Sequence, residues 1–248
     1  MKTTNLFLLL AVIAIPLTAQ ENPIFPEPDE HSVAFWDFSR QSDGQFEDES
    51  GFGSTVALKA MEKAKLPQVT SDGLLFDGKG GYAEINGGEA LRITGGDFSI
   101  DIIFKSDSAE ALQNKPVAYL AGNKSLSEKR GFALALSNWQ KNHVVFYYAL
   151  NGQAEALEGA FEKSILKTGV FHHLQVSFSE KRLSLFLNGI KLAEKELPGP
   201  VSLVNSRRIR LGIYPAPWQR DKQDQLIVNG FEGCIRLLRF SDKGRTGK

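Results

Sequence analysis

The sequence has a single cysteine, and its apolar runs are short. Cys234 is the only thiol among 248 residues, so the chain cannot form an internal disulfide. Its longest apolar stretch, residues 6–15, has about half of the roughly 20 residues that a membrane-spanning helix needs. No cysteine directly follows this stretch, and a lipid anchor there is therefore not expected. The sequence predicts a chain that neither spans a membrane nor carries such an anchor.

The sequence also lacks an excess of either charge. It has 29 lysines and arginines against 29 aspartates and glutamates, so the formal net charge is zero. Such a chain has no overall positive field that would attract nucleic acid or an anionic lipid surface. Nucleic acid is therefore not an expected partner.

The N-terminus has the order of a secretory signal peptide. Lys2 precedes the apolar stretch, and the small pair Thr18-Ala19 follows it. The mature protein is therefore expected outside the cytoplasm, in a periplasm or in the extracellular space. We predict a signal peptide at residues 1–19, a proline-rich linker at 20–31 and one domain at 32–248.

From residue 32 onward, short apolar runs alternate with polar residues and with turn residues. The segments 97–105 and 208–213 show the period of two that is typical of a strand with one buried face. At most two short helical stretches are expected, around 57–65 and 108–113. The pattern predicts an all-β fold, built as a two-sheet antiparallel β-sandwich.

The segment 171–194 predicts three consecutive strands. Asn188-Gly189 is a strong signal for a type I′ hairpin turn, because both residues tolerate a positive φ. Leu174, Val176 and Phe178 share one face of the first strand. Across the turns we expect three apolar pairs, which are Phe178 with Leu183, Leu185 with Leu192, and Leu187 with Ile190.

Two adjacent histidines open this segment and are candidates for catalysis or metal binding. Neighbouring residues of a strand point to opposite faces, so His172 is expected in the core and His173 on the other side. The two rings could not hold one metal ion without a bulge. The remaining histidines, His31 and His143, show no metal-ligand spacing. A structural role is favoured for the pair.

Seven blocks of the sequence stand in a recognisable order. They are AFWDFS (34–39), DESGFG (48–53), GLLFDGKGGYAEI (73–85), DFSIDIIFK (97–105), FHHLQVSFSEKRLSLFLNGIKLAE (171–194), RIRLGIYP (208–215) and FEGCIRLLRFS (231–241). Together they resemble the laminin-G-like, concanavalin A-like jelly-roll family in its secreted bacterial form. The resemblance covers nearly all of 32–241 and implies a jelly-roll sandwich, although Phe171 and Ile103 stand where the family often has tryptophan.

The resemblance also implies a calcium ion at the rim of the sandwich. The candidate ligands are Asp37, Asp48 and Asp77, since calcium prefers carboxylate and carbonyl oxygens. Two departures weaken this prediction, because Gly81 and Arg236 stand where the family frequently has acids. Alternatively, Asp48 and Asp77 shape turns by accepting hydrogen bonds from nearby backbone groups.

A glycan-active enzyme of this fold would carry acids at two-residue spacing on one strand, so that both carboxylates face a cleft. The acids at 27–30 lie in the proline-rich linker, and Glu194 and Glu196 belong to a hairpin strand that alternates with lysines. The sequence has no Gly-x-Ser-x-Gly motif and no phosphate-binding glycine loop, and Cys234 lies within a predicted strand. No catalytic residue is predicted.

Aromatic residues outside the core are the remaining candidates for ligand binding, because sugars stack on exposed aromatic faces. Trp36 is expected in the core, whereas Trp218 lies in a proline-rich loop and Trp139 in a polar turn. Tyr147 and Tyr148 point to opposite faces of one strand, so one of them is expected to be exposed. The predicted ligand-binding set is Trp139, Tyr147, Tyr214, Trp218, Gln219 and Arg220.

An arginine run, Arg207, Arg208 and Arg210, could contact sulfated or uronic glycans, although its alternation with apolar residues favours a solvated strand face. The sequence as a whole predicts an exported, non-catalytic binding module, with carbohydrate as the preferred ligand class. The alternatives are a protein-interaction, structural or adhesion domain and a glycan-active enzyme whose site has no recognised motif. A glycan or a cell-surface protein is the expected partner.

Overall fold

The structure is a computed structural model, and it describes most of the chain beyond the predicted signal peptide. Within the described segments the chain forms seventeen strands and no helix, and this part of the chain has no helix that is long and apolar enough to cross a membrane. The described residues are 25–42, 45–86, 96–108, 117–125, 127–137, 142–204, 208–214, 219–220, 226–227 and 229–245.

The strands are short, between two and ten residues each. Their bounds are β1 (Ser32–Asp37), β2 (Thr55–Ala60), β3 (Gln68–Thr70), β4 (Gly73–Asp77), β5 (Gly81–Asn86), β6 (Phe98–Lys105), β7 (Val117–Gly122), β8 (Ala133–Ser137), β9 (His143–Leu150), β10 (Gln153–Ala160), β11 (His172–Ser179), β12 (Arg182–Leu187), β13 (Ile190–Glu196), β14 (Ile209–Leu211), β15 (Gln219–Arg220), β16 (Leu226–Ile227) and β17 (Glu232–Ser241).

Two antiparallel sheets form the sandwich. The first has eight strands in the order β13-β12-β11-β6-β17-β4-β3, with β1 paired to β17 beside β4. The second has seven strands in the order β10-β9-β8-β7-β14-β5-β2. Strands that are distant in sequence become neighbours in both sheets, as β6 and β17 do, which is consistent with a jelly roll and confirms the predicted all-β sandwich.

One large apolar core fills the space between the sheets. Trp36 from β1 is completely buried in it, as predicted, together with Phe98 from β6 and Phe146 from β9. The alternation of apolar residues along each strand supplies this inner layer, because every second side chain points to the same face. Cys234 is also buried, and its Sγ lies 3.2 Å from the carbonyl oxygen of Asp72.

The helical stretch predicted around 57–65 is wrong. Residues 57–60 belong to β2, which pairs with β5 over its whole length, and residues 61–65 form turns. Alanine and lysine in this segment favour a helix locally, but pairing with β5 fixes them in an extended strand. Most of the second predicted stretch, 108–113, lies outside the described residues.

The predicted meander of 171–194 is confirmed, with one change of register. Phe178 faces Leu183, and Leu187 faces Ile190, as expected. Leu185 faces Ala193 instead of Leu192, because the pairing of β12 with β13 shifts between Leu185 and Phe186. This β-bulge leaves one residue unpaired. The alternation of apolar residues alone does not predict such a bulge.

The two histidines point to opposite faces, as predicted. His172 is 3% exposed and lies in the core layer, where its Nε2 is 3.0 Å from the carbonyl oxygen of Lys167. The Oδ1 of Asn188 accepts a hydrogen bond from the backbone N–H of His173, so the amide Nδ2 of Asn188 faces Nδ1 of His172 at 3.0 Å. The backbone N–H of Lys167 also donates to Nε2 at 3.1 Å, so both ring nitrogens lie within hydrogen-bond distance of Asn188 or Lys167. The ring is a neutral imidazole that caps the Asn-Gly hairpin.

We expect this burial to make the fold less stable as the pH falls below about 6.5. Burial lowers the pKa of His172 below its ordinary value, even though its hydrogen bonds act the other way. Between the pKa of His172 in the folded protein and its higher pKa in the unfolded chain, only the unfolded chain is protonated. The free energy of unfolding therefore decreases as the pH falls, by at most about 1.4 kcal/mol per pH unit. Urea unfolding of the wild type and of His172→Gln at pH 7 and pH 5 measures this loss of stability. If the free energy of unfolding falls equally in the two proteins, His172 is not its source.

Candidate functional site on the outer face of the seven-stranded sheet

The outer face of the seven-stranded sheet carries a cluster of three tyrosines. Along β9 the core takes Val144, Phe146 and Tyr148, so Tyr147 points outward. Tyr119 from β7 and Tyr214, which follows β14, join it on the same face. Tyr147 is partly exposed, Tyr214 is 9% exposed and Tyr119 is 1% exposed. We call these three residues the tyrosine cluster.

Within the tyrosine cluster, rings from residues that are far apart in the sequence contact each other. The ring centroids of Tyr119 and Tyr214 are 4.7 Å apart, and those of Tyr119 and Tyr147 are 6.4 Å apart with 29° between the ring planes. Ala133 and Ala135 of β8, both fully buried, lie beneath the rings and leave room for them. Small residues on β8 therefore allow aromatic side chains from three other segments to meet above it.

Burial fixes the protonation state of Tyr119 and Tyr147. It raises the pKa of Tyr119 far above its ordinary value, with the neighbouring phenols adding to the effect. The pKa of Tyr147 is also raised by burial and by the charge of Glu158. The phenols of Tyr119 and Tyr147 therefore remain neutral at physiological pH. The cluster can offer an apolar ring face and hydroxyl groups, but not a phenolate nucleophile.

A charged cluster lies on the same face, one strand beyond the tyrosines. Glu84 of β5 has a side chain that is only 6% exposed and is held by three cations. Its carboxylate is 2.5 Å from Nζ of Lys59, 3.0 Å from Nη1 of Arg208 and 3.3 Å from Nε of Arg210. Burial alone would raise the pKa of Glu84, but the hydrogen bonds from Lys59 and Arg208 hold it below its ordinary value. Arg210 also lies over the ring of Tyr82, 5.1 Å from the centroid.

The strand register connects the two clusters. Directly opposite residues run across the sheet from Tyr147 to Ala133, then to Gly122, Arg210 and Glu84. Residues opposite each other in antiparallel strands share a face, so an aromatic end and a charged end lie in one cross-strand row. With about 4.8 Å between neighbouring strands, the backbones of Tyr147 and Arg210 are about 14 Å apart. The two residues between them, alanine and glycine, are the smallest available.

The structure brings together two of the six predicted ligand-binding residues, Tyr147 and Tyr214. Trp139 and Trp218 lie outside the described residues. Gln219 and Arg220 form β15, which pairs with Ile227 and Leu226, and only their backbone is described. The predicted set thus contributes two members of the tyrosine cluster.

Sequence reasoning missed Tyr119 and Glu84. Tyr119 belongs to the run VAYLAG, in which all six residues are buried, so alternation gives no signal there. In GYAEI, Glu84 stands two residues after Tyr82, on the same face of a strand whose other face is apolar. This was a usable signal, because a carboxylate on a largely buried strand rarely lacks a nearby cation. The Arg208 and Arg210 side chains supply those cations from a strand far along the chain.

The three candidate calcium ligands are engaged with protein groups. Asp37 lies 2.8 Å from Nε of Arg236 and 3.2 Å from Nε of Arg40. Two guanidinium groups beside one carboxylate would repel a calcium ion, and this donor set does not fit one. Among the described residues, no group of three histidines, cysteines or acids is placed to hold a metal.

The other two carboxylates have local partners in turns. Oδ1 of Asp48 accepts hydrogen bonds from the N–H groups of Phe35 and Ser50, and Oδ2 accepts from the N–H of Ser54. Asp77 accepts from the N–H of Lys79. These contacts match the alternative interpretation, in which the two aspartates shape turns.

A separate cavity of about 360 Å³ lies at the rim, beside β3 and β4. Its wall carries both charge signs, from Asp77, Asp107 and Glu232 on one hand and from Lys65 and Lys79 on the other. None of the predicted aromatic residues lines it. Near it, burial raises the pKa of Cys234 to about 12, so that thiol stays protonated and unreactive.

A sequence profile of the family described as "Laminin G domain" matches residues 115–243, just over half of the chain. The chain belongs to the laminin G domain family. The match covers β7 to β17, whereas β1 to β6 pair into the same two sheets, so the sandwich extends beyond the matched residues. No curated protein sequence matches this laminin G domain.

Solved structures of low sequence identity share the fold. The binding domain of botulinum neurotoxin serotype D/C superposes with a TM-score of 0.61 at 12% identity, over 87% of this chain and 49% of that one. A structure described as "Cell entry of botulinum neurotoxin type C is dependent upon interaction with two ganglioside molecules" gives a TM-score of 0.59 at 14% identity, over 88% and 49%. This laminin G domain therefore spans about half the length of these binding domains.

Proposed function

We propose that this laminin G domain is an exported, non-catalytic binding module, and that it binds carbohydrate on the outer face of its seven-stranded sheet. The observation that carries the proposal is the tyrosine cluster, in which two residues predicted independently from sequence meet on one sheet face. A partly exposed ring above buried rings is a rigid surface on which a pyranose can stack.

Two further features support a sugar over other small molecules. The phenol of the partly exposed Tyr147 is neutral, so it can both donate to and accept from sugar hydroxyls. The charged end of the row adds side chains that hydrogen-bond strongly. The binding domains that share this fold include one described as in complex with "SialylT" and one described by its interaction with gangliosides, which agrees with a glycan ligand without assigning one here.

Replacing Tyr147 by alanine is expected to weaken glycan binding about tenfold or more, because aromatic anchors at the centre of a site contribute about 1.4 kcal/mol or more. The measurement is a glycan-array screen of residues 20–248, followed by calorimetry on the best ligand, with and without a calcium chelator. The matched control is Phe52→Ala. Like Tyr147, Phe52 is aromatic; it is 64% exposed in the turn that precedes β2 and is not a member of the tyrosine cluster.

The two variants separate the proposed site from a site elsewhere on the domain. If Phe52→Ala abolishes glycan binding and Tyr147→Ala does not, the glycan binds near the turn before β2 and not on the tyrosine cluster. If no glycan on the array binds, the protein-interaction alternative is favoured. Loss of binding on chelation would contradict our view that Asp37 and its arginines exclude calcium. Release of sugar products from any array ligand would overturn the non-catalytic assignment.

A further inference from the structure

We propose that residues 242–245, which follow β17, form a strap that opens separately from the sandwich and uncovers a second polar surface. We call this segment the strap. The surface that it covers lies on the outer face of the eight-stranded sheet, on the opposite side of the sandwich from the tyrosine cluster. The inference is therefore independent of the proposed carbohydrate site.

A row of serines crosses this outer face. Five strands place a serine at directly opposite positions, which are Ser184 of β12, Ser177 of β11, Ser99 of β6, Ser241 of β17 and Ser32 of β1. Their neighbours along each strand belong to the core or pack against it, so the five hydroxyls point outward. All five serines are nevertheless at most 7% exposed. We call them the serine row, and its burial means that other parts of the chain cover it.

The strap covers the middle of the serine row. The backbone N–H of Arg245 donates to Oγ of Ser177 at 2.8 Å, and its Nη2 donates to Oγ of Ser241 at 3.3 Å. Ser99 lies between these two serines in the row, so Arg245 passes above it. Gly244 lies so close to β11 that an added Cβ would collide with Cβ of Ser179. The strap therefore rests directly on the sheet.

Polar contacts hold the strap in place. Its four residues are aspartate, lysine, glycine and arginine, so it has no apolar side chain to bury. Nη2 of Arg245 is 2.6 Å from Oδ2 of Asp29, and Oδ1 of Asp242 is 3.2 Å from Nδ1 of His31. The four side chains in these two pairs are 24–56% exposed. Ion pairs with this exposure stabilise a fold only slightly.

The closed strap also keeps polar atoms buried without hydrogen bonds. Within the described part of the chain, Oγ of Ser99 and Nε of Arg245 have no hydrogen-bond partner, although both atoms are buried. Oε1 of Gln175, two residues before Ser177 on the same face, is in the same state. Burying such a group is unfavourable. Opening the strap would let water reach Ser99 and Arg245, which offsets the hydrogen bonds that opening breaks.

The N-terminal segment beside the strap is held differently. The ring of Phe25 contacts the ring of Phe171 edge-on, and the carbonyl oxygen of Glu27 accepts from Arg239. Phe171 in turn packs on a buried apolar cluster of the same face. Apolar contacts favour the closed position of this segment, and we therefore expect it to stay in place when the strap opens.

Alkylation of a thiol placed under the strap tests this inference. In Ser99→Cys, the native Cys234 is the internal control, because it is buried beside Asp72 and away from the strap. Iodoacetamide rates are read by peptide mapping, and each rate is divided by the rate of the same thiol in the urea-unfolded chain. We expect the thiol of Ser99→Cys to react at least about tenfold faster than Cys234, because local opening costs less free energy than global unfolding.

A second substitution tests what holds the strap. Adding Arg245→Ala to Ser99→Cys is expected to speed alkylation at position 99 by about two- to fivefold, the range for losing an exposed ion pair, without changing the rate of Cys234. The matched control is Lys243→Ala, which removes the same charge from the strap but not its contacts with Asp29, Ser177 and Ser241.

Two results would overturn the inference. If position 99 is as protected as Cys234, the strap opens only when the whole sandwich unfolds. If Lys243→Ala speeds alkylation as much as Arg245→Ala does, the contacts of Arg245 do not hold the strap. Urea unfolding checks the stability of Ser99→Cys, and Ser177→Cys provides the same comparison if Ser99→Cys fails to fold. Glycan binding enters none of these measurements, so loss of the proposed function would leave the inference standing.

Discussion

Replacing Asp101 by alanine is expected to lower the free energy of unfolding by about 3–5 kcal/mol, the range for removing one partner of a buried ion pair. Asp101 is completely buried on the outer face of the eight-stranded sheet. Its Oδ2 accepts from Nε and Nη2 of Arg239 at 2.9 and 2.8 Å, and its Oδ1 accepts from Gln175 and lies 2.8 Å from Nε2 of His173. Without the carboxylate, a guanidinium would remain buried with no counter-ion.

The protonation of Asp101 follows from the same contacts. Burial alone would raise its pKa, but the hydrogen bond from His173 and the charge of Arg239 hold the pKa below its ordinary value. The N-terminal segment seals the site, since the carbonyl oxygen of Glu27 accepts from Nη1 of Arg239 at 3.2 Å. The segment that the sequence predicts as a linker therefore packs, from Phe25 onward, against this sheet, where Phe25 contacts Phe171 edge-on.

Urea unfolding of Asp101→Ala measures this loss of stability, with Asp97→Ala as the matched control. Asp97 is exposed just before β6 and accepts one hydrogen bond from Ser179, so its loss is expected to cost less than about 0.5 kcal/mol. The double variant Asp101→Ala with Arg239→Met should recover part of the loss, because it also removes the buried charge. If Asp101→Ala lowers the free energy of unfolding no more than Asp97→Ala does, the buried ion pair of Asp101 and Arg239 does not stabilise the fold.

Replacing Gly212 by alanine is expected to destabilise the fold by about 2–5 kcal/mol. Gly212 has φ +77, and an added Cβ would lie 2.3 Å from Cδ1 of the buried Phe76. Two hydrogen bonds hold the backbone of Gly212 in place: its N–H donates to the carbonyl oxygen of Leu120, and its carbonyl oxygen accepts from the N–H of Phe231. The change combines left-handed strain of about 1–2 kcal/mol with overpacking of about 1–3 kcal/mol.

Gly189→Ala is the matched control for this prediction. Gly189 has φ +76 in the Asn-Gly hairpin, but an added Cβ would have nothing within 4 Å. It should therefore show the backbone strain without the clash. Thermal or urea unfolding of the two variants isolates the packing contribution, and equal destabilisation would show that Phe76 moves aside without cost. Because Gly212 lies between Arg210 and Tyr214, glycan binding by the surviving folded fraction should be measured as well.

The sequence by itself determined the class of fold. Period-two alternation places Leu174, Val176 and Phe178 in the core, and the Asn188-Gly189 turn sets the hairpin, because local sterics and burial act over a few residues. The opposite directions of His172 and His173 followed from the same rule. The side-chain partner of His173 did not, since Asp101 lies on β6, 72 positions away in the sequence.

Only the tertiary structure decided which surface residues meet. Tyr119, Tyr147 and Tyr214 come from three strands or loops that are far apart in the chain, and Glu84 meets Arg208 and Arg210 across 124 or more positions. The bulge between Leu185 and Phe186 and the strand at 57–60 were also set by neighbouring strands. Strand order and register depend on long-range pairing, which leaves no periodic trace in the sequence. A site assembled across strands can therefore be located only after the sheet is built.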